Sequence, residues 1–246
     1  MRWILSKLLY LILACAAIAT ALVIRHDRLR PANVVVTAPG ELFPFEKWVE
    51  TYARMAVLGL SAPPPGAMAP DLTIRFLKET YEGSSIDARI SGSESLKRLK
   101  GVEGASAWGW DRILVWPETP ALKKSVFADT ERLVGGPPTP RLATLQQLAP
   151  LETRFRLQLV VLQSLLQVLK SCGRRIQPDP AASVMPAQIW RIAASLNSLS
   201  DAQLAQALAF QSSEPVRSAR ANLEEELRRA LQAPESAAVR RICPRP

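Results

Sequence analysis

The sequence predicts an α+β protein in three parts: an N-terminal membrane helix, a small mixed α/β domain, and an all-α helical bundle. Three observations predict it. An apolar run bounded by basic residues opens the chain, β-branched segments alternate with amphipathic ones over 31–134, and after a Gly/Pro break at 135–140 the pattern is helical throughout. With 246 residues, 48% hydrophobic and 22% charged, the chain is long enough for one large core or two small ones.

The first element is the apolar run. Leu8 to Ile24 holds 17 uncharged, mostly apolar residues. As a helix it spans about 25 Å, and counted from Trp3 it crosses a ~30 Å hydrocarbon core. Arg2 and Lys7 precede it, and Arg25, Arg28 and Arg30 follow. Lys7 can snorkel to the headgroups and Trp3 suits the interface. Residues 1–30 are therefore read as a membrane anchor with basic flanks, inserted through 3–24. Two other readings stay open. A cleaved signal peptide would use the small residues between Ala17 and Ala21, and a lipoprotein signal would end at Cys15. Span length favours the uncleaved anchor.

Orientation is not fixed by the basic flanks, which nearly balance. Export of the long C-terminal part is expected on two other grounds. The next most apolar stretch, Leu157 to Leu169, is interrupted by Gln158, Gln163, Ser164 and Gln167. The two cysteines outside the anchor, Cys172 and Cys243, make an even pair that an oxidising compartment would join. Closing that loop contributes about 4 kcal/mol in the chain-entropy account. The alternative is two unpaired thiols. Arg outnumbers Lys 23 to 8, a composition suited to a GC-rich bacterial genome. The expected location is a bacterial inner membrane, single-pass, with the C-terminal part in the periplasm.

Residues 31–134 read as the α+β domain. Asn33 to Thr37 is β-branched and stops at Pro39-Gly40, a strand. Phe45 to Leu58 carries Trp48, Val49, Tyr52, Met55 and Ala56 at helical spacing. Segments 72–76 and 86–90 alternate and are read as strands, although Phe76, Leu77 and Tyr81 fit a helix equally. Ser93 to Lys100 is a short basic helix, 112–116 a strand ended by Pro117, and Pro120 to Val134 a helix with Leu122, Val126, Phe127 and Leu133 inward. The order β-α-β-β-α-β matches a split βαβ, ferredoxin-like arrangement.

Gly135 to Pro140 is the expected linker, and 141–246 the helical domain with a Pro-rich tail. Leu142, Leu145 and Leu148 start a helix that Pro150 breaks. Glu152 to Cys172 is apolar over most of its circumference and should be the buried centre, with Gly173 as its stop. Ile189 to Leu199 marks a third helix, and Ser200 to Gln203 is a capping box opening a fourth. A fifth begins around Pro215 and runs to about Gln232, with Glu224–Arg228 and Glu225–Arg229 pairs on its solvent side.

The inventory restricts the chemistry. The only histidine, His26, sits beside the apolar run, so Ser-His-Asp and Cys-His machinery lacks its base. Zinc motifs, a P-loop, a dinucleotide fingerprint and C-x-x-C are absent from the sequence, so neither a metal nor a cofactor is expected. Nearly half of the net charge of +9 flanks the apolar run and the remainder is interleaved with acids, without a basic block, which argues against nucleic acid. Carboxylates remain. Asp111 and Glu118 flank the 112–116 segment near Trp108, Trp110 and Trp116, the residue types glycan hydrolysis uses. Seven extended residues put those acids roughly 23 Å apart, too far to cooperate unless the chain bends. The three tryptophans are candidate partner contacts, against the commoner role of core residues. The expected function is a non-enzymatic adaptor, assembly factor or secretion accessory with a protein partner. The alternatives are a glycan-acting enzyme and an immunity or inhibitor protein.

Overall fold

The computed structural model describes residues 45–82, 84–103 and 120–243. They are predominantly helical, with one short antiparallel pair of strands. The predicted anchor, the 33–37 and 112–116 strands, Asp111, Glu118, Trp108, Trp110 and Trp116 lie outside the described residues.

In chain order, α1 is Phe45–Arg54, running into a π turn at Met55–Gly59, and β1 is Ser61–Ala62. Then come α2 (Pro70–Glu82), α3 (Ile86–Ser91), α4 (Glu94–Gly101) and α5 (Pro120–Gly135). Next, α6 (Pro140–Leu148) ends in a 3-10 turn at Ala149–Leu151 and leads to α7 (Thr153–Ser171) and β2 (Arg175–Ile176). The chain closes with α8 (Pro180–Ser195), α9 (Asp201–Ser212) and α10 (Glu214–Ile242).

The centre is α7, as its apolar circumference predicts. Phe155, Leu157, Val161, Leu162, Leu165 and Leu169 are each at most 2% exposed. Both ends are closed. The Glu152 carboxylate accepts the Arg154 and Phe155 amides at 2.9 and 2.8 Å, satisfying donors the helix leaves free. At the other end Gly173 adopts φ +79°, and the Arg174 amide reaches back to the Leu169 carbonyl at 3.0 Å, the reversal that stops a helix.

Along α7 lies α10, 29 residues and so about 43 Å long. Its stripe of Val216, Leu223, Leu227, Leu231 and Ala238 also covers α2, α3 and α4. One apolar cluster therefore joins Trp48, Leu77, Tyr81, Ile86 and Leu96 to Leu157, Leu165, Leu223 and Ile242, running across the Gly/Pro stretch. A second, smaller cluster joins α6, α8 and α9 through Leu145, Leu148, Ile192, Leu204 and Ala207.

Two expected strands are helices. Segment 72–76 falls inside α2, where Thr73, Leu77 and Tyr81 are buried at i, i+4 spacing and Leu72 faces solvent. Segment 86–90 is α3, with Ile86 and Ile90 buried four residues apart. Four is a multiple of the strand period as well as a helical neighbour distance, so a five-residue segment satisfied both patterns. Two of the four strands that a split βαβ order needs are thus absent. The one strand pair observed among the described residues, β1 with β2, is not among the expected strands.

Other details also moved. Phe127 is 38% exposed and lies against Trp190 with ring centroids 4.9 Å apart. Glu224 is buried rather than solvated, because Arg156 of α7 grips it through two hydrogen bonds of 2.8 and 2.9 Å. Helix α10 passes through Pro234 and continues to Ile242.

Candidate interaction surface

The helices α1 and α2 form an antiparallel hairpin, fixed midway by the Lys78 ammonium donating to Glu50 at 3.1 Å. Eight residues from that contact on each arm, about 12 Å along the axes, lie Leu58 and Pro70. The chain between them, with Pro63, Pro64 and Pro65 in a row, cannot continue a helix and forms the loop that closes this end.

Three links tie the loop to the rest. Ser61 and Ala62 pair with Ile176 and Arg175, and the Gln177 amide donates to the Leu60 carbonyl at 3.0 Å. Gly173 lies under Pro64, where a Cβ would come to 3.7 Å of the proline Cγ. Next to it, Cys172 is joined to Cys243 by a disulfide with Cα atoms 4.7 Å apart. That bond brings the end of α10 to the end of α7, at the face where the loop sits.

Charge accumulates there. Arg54, Arg75, Lys170, Arg175, Arg240 and Arg241 are exposed at or near this end, against Asp71, Glu79 and Asp179. Glu79 is shared between Arg75, at 2.8 Å, and Arg241, and these two guanidiniums hold its carboxyl below the usual range. The Arg241 guanidinium also lies 4.2 Å from the Phe76 ring centroid. Arg174 is 5% exposed. Its Nη2 donates to the Thr73 hydroxyl at 3.4 Å, its Nη1 has no partner among the described residues, and burial lowers its pKa. Leu58, 61% exposed, and Leu72, 46% exposed, are two of the three large apolar side chains left open among the described residues.

A second polar arrangement is internal. Glu152, fully buried, accepts from Arg191 at 2.6 Å and from Gln188 at 3.3 Å while capping α7. Arg154 lies 5.6 Å from the Trp48 ring centroid, and burial and the neighbouring Arg191 lower its pKa. Burial pushes Tyr52, beside these charges, up to about 12, so its hydroxyl stays protonated at neutral pH. Glu152, the acid of this cluster, is already committed to the start of α7 and to Arg191. The arrangement locks α7 to α8.

Of the residues singled out from sequence, Cys172 and Cys243 are brought together, and the tryptophans and the Asp111/Glu118 pair lie outside the described residues. The surface at the disulfide end was missed. The only sequence signal for it was the Pro-rich loop 61–70. Among the described residues no group of three or more His, Cys, Asp and Glu could hold a metal, and no helix is long and apolar enough to cross a membrane. Comparison of the chain with models of known families, with curated proteins and with solved structures finds no match.

Proposed function

We propose that the chain is a single-pass protein of a bacterial inner membrane whose periplasmic part works by binding a protein partner, as an adaptor, assembly factor or secretion accessory. The Cys172–Cys243 disulfide carries this reading. Such bonds persist in oxidising compartments and are rare where thioredoxin and glutathione keep thiols reduced. The apolar residues 3–24 supply the tether, and the single histidine, His26, lies beside that run, so the rest of the chain has no imidazole to act as general base.

Two measurements test it. A reporter that matures only outside the cytoplasm, fused after Pro246, is expected to be active, and a cytoplasm-only reporter inactive. The reverse pattern overturns the topology. Crosslinking from the exported part in cells is then expected to trap one or a few defined proteins. Turnover of a glycan by the purified chain, lost on Asp111→Ala or Glu118→Ala with folding intact, would overturn the non-enzymatic reading in favour of the carboxylate enzyme.

A further inference from the structure

We propose that the disulfide end of the bundle is a docking face for an anionic lipid surface, with Leu58 and Leu72 reaching toward the acyl boundary and the surrounding arginines at the phosphates. The inference rests on the membrane tether proposed above and adds which face of the exported part meets the bilayer.

The geometry places the two leucines at the same end of the hairpin. The hairpin of α1 and α2 is antiparallel and in register at Glu50 and Lys78. Leu58 therefore stands level with Pro70, and Leu72 lies two residues on, about 3 Å along the axis. Both are exposed, and the loop between them carries one charge, Asp71. The flanking charge is positive. Arg54 is four residues before Leu58, Arg75 three after Leu72, and Arg175 sits on the strand paired with the loop. Arg240 and Arg241 are brought alongside by the disulfide. Six exposed cations face three acids, one of which, Glu79, is already neutralised between two arginines.

Charge complementarity and the layout of the apolar groups select the occupant. A protein interface centres on a contiguous, well-packed apolar or aromatic patch with charge moved to the rim. Here the apolar groups are few, stand at the two ends of the loop and are flanked in the fold by arginines. Interfacial membrane binding needs that layout: a few apolar side chains inserted to the headgroup boundary and cations among the phosphates. Guanidinium forks also match phosphate oxygens in pairs. A tethered domain meets the bilayer at high effective concentration, so weak docking suffices.

The test uses the full chain in nanodiscs, either phosphatidylglycerol/phosphatidylethanolamine or pure phosphatidylcholine, with amide hydrogen exchange read over 58–72. Exchange there is expected to slow in the anionic discs only, and the slowing to vanish in high salt. Replacing Arg54, Arg175 and Arg240 by Gln removes three exposed cations that make no ion pair among the described residues. Each loss should weaken the docking equilibrium roughly fivefold, so the triple variant loses the protection. Its melting temperature, measured in parallel, should stay at the wild-type value. Retention in both discs with equal exchange over 58–72 overturns docking and leaves the tether standing. Retention in anionic discs alone, with slowing that salt removes, supports docking and overturns the tether. Retention in neither overturns both.

Discussion

Glu152 and Arg191 meet at 2.6 Å with the carboxylate fully buried and the guanidinium side chain 21% exposed. The same carboxylate receives the first amides of α7, so one side chain ends a helix and fixes its neighbour. Removing it takes away a cap and leaves a cation facing an empty site. Glu152→Ala is expected to lower unfolding stability by about 3 kcal/mol, the scale for breaking a buried pair from one side. Glu152→Gln keeps an acceptor and should lose less. A double-mutant cycle with Arg191→Ala, read by urea denaturation, should show strong coupling. Additive losses would mean the two residues act separately.

Reducing the Cys172–Cys243 bond should have a different signature. The bond closes a loop of sequence separation 71, and its removal is expected to cost about 4 kcal/mol, less any strain released. Cys172→Ala/Cys243→Ala should lower the melting temperature in the absence of reductant. The wild type should fall to the same value when reductant is added. Both thiols labelling fully in native, non-reduced protein taken from cells would disprove the pairing and remove the observation on which the periplasmic reading rests.

Asp87 gives a pH-dependent effect with a definite sign. It lies in the first turn of α3 with one buried carboxylate oxygen lacking a hydrogen-bond partner, and burial, then the charge of Glu46, raises its pKa above the ordinary aspartate value. The unfolded chain therefore ionises this group at lower pH than the folded chain does. Its contribution is most favourable below the unfolded pKa and declines as pH rises through the folded pKa. Asp87→Asn is expected to stabilise the protein at pH 7 by no more than about 0.5 kcal/mol, because the group is largely solvated and screened. The gain should shrink as pH falls into the range where the acid is protonated. A gain that does not vary with pH would exclude this cause.

Helix α7 and the capping box were readable because their signals are local and redundant. Ser200 and Gln203 satisfy each other's backbone amides at 2.9 and 3.3 Å, as residue types at that spacing dictate. The strand assignments at 72–76 and 86–90 failed for a different reason. Segment 86–90 is covered by α10, more than a hundred residues later, and 72–76 by α1 and α10 together, and a short segment with apolar groups at even spacing does not reveal which partner will cover it. The length of α10 was underread because proline ordinarily ends a helix. Here Pro234 is itself buried and the helix is tied down beyond it by Cys243. The docking face had no periodicity to find. Arg54, Leu58, Leu72, Arg175 and Arg240 come from separate stretches that only the hairpin, the strand pair and the disulfide assemble.

The position of α10 also sets an order of events. It is synthesised after every helix it covers, yet α2, α3 and α4 bury their apolar faces on it. Until it arrives, those early helices have no completed core, and Cys172 has no Cys243 to join. The cluster of α6, α8 and α9 can close earlier, but the larger core stays incomplete while α10 is still being made. That core closes late, through contacts of a separation that form slowly and only after most of the polypeptide is present.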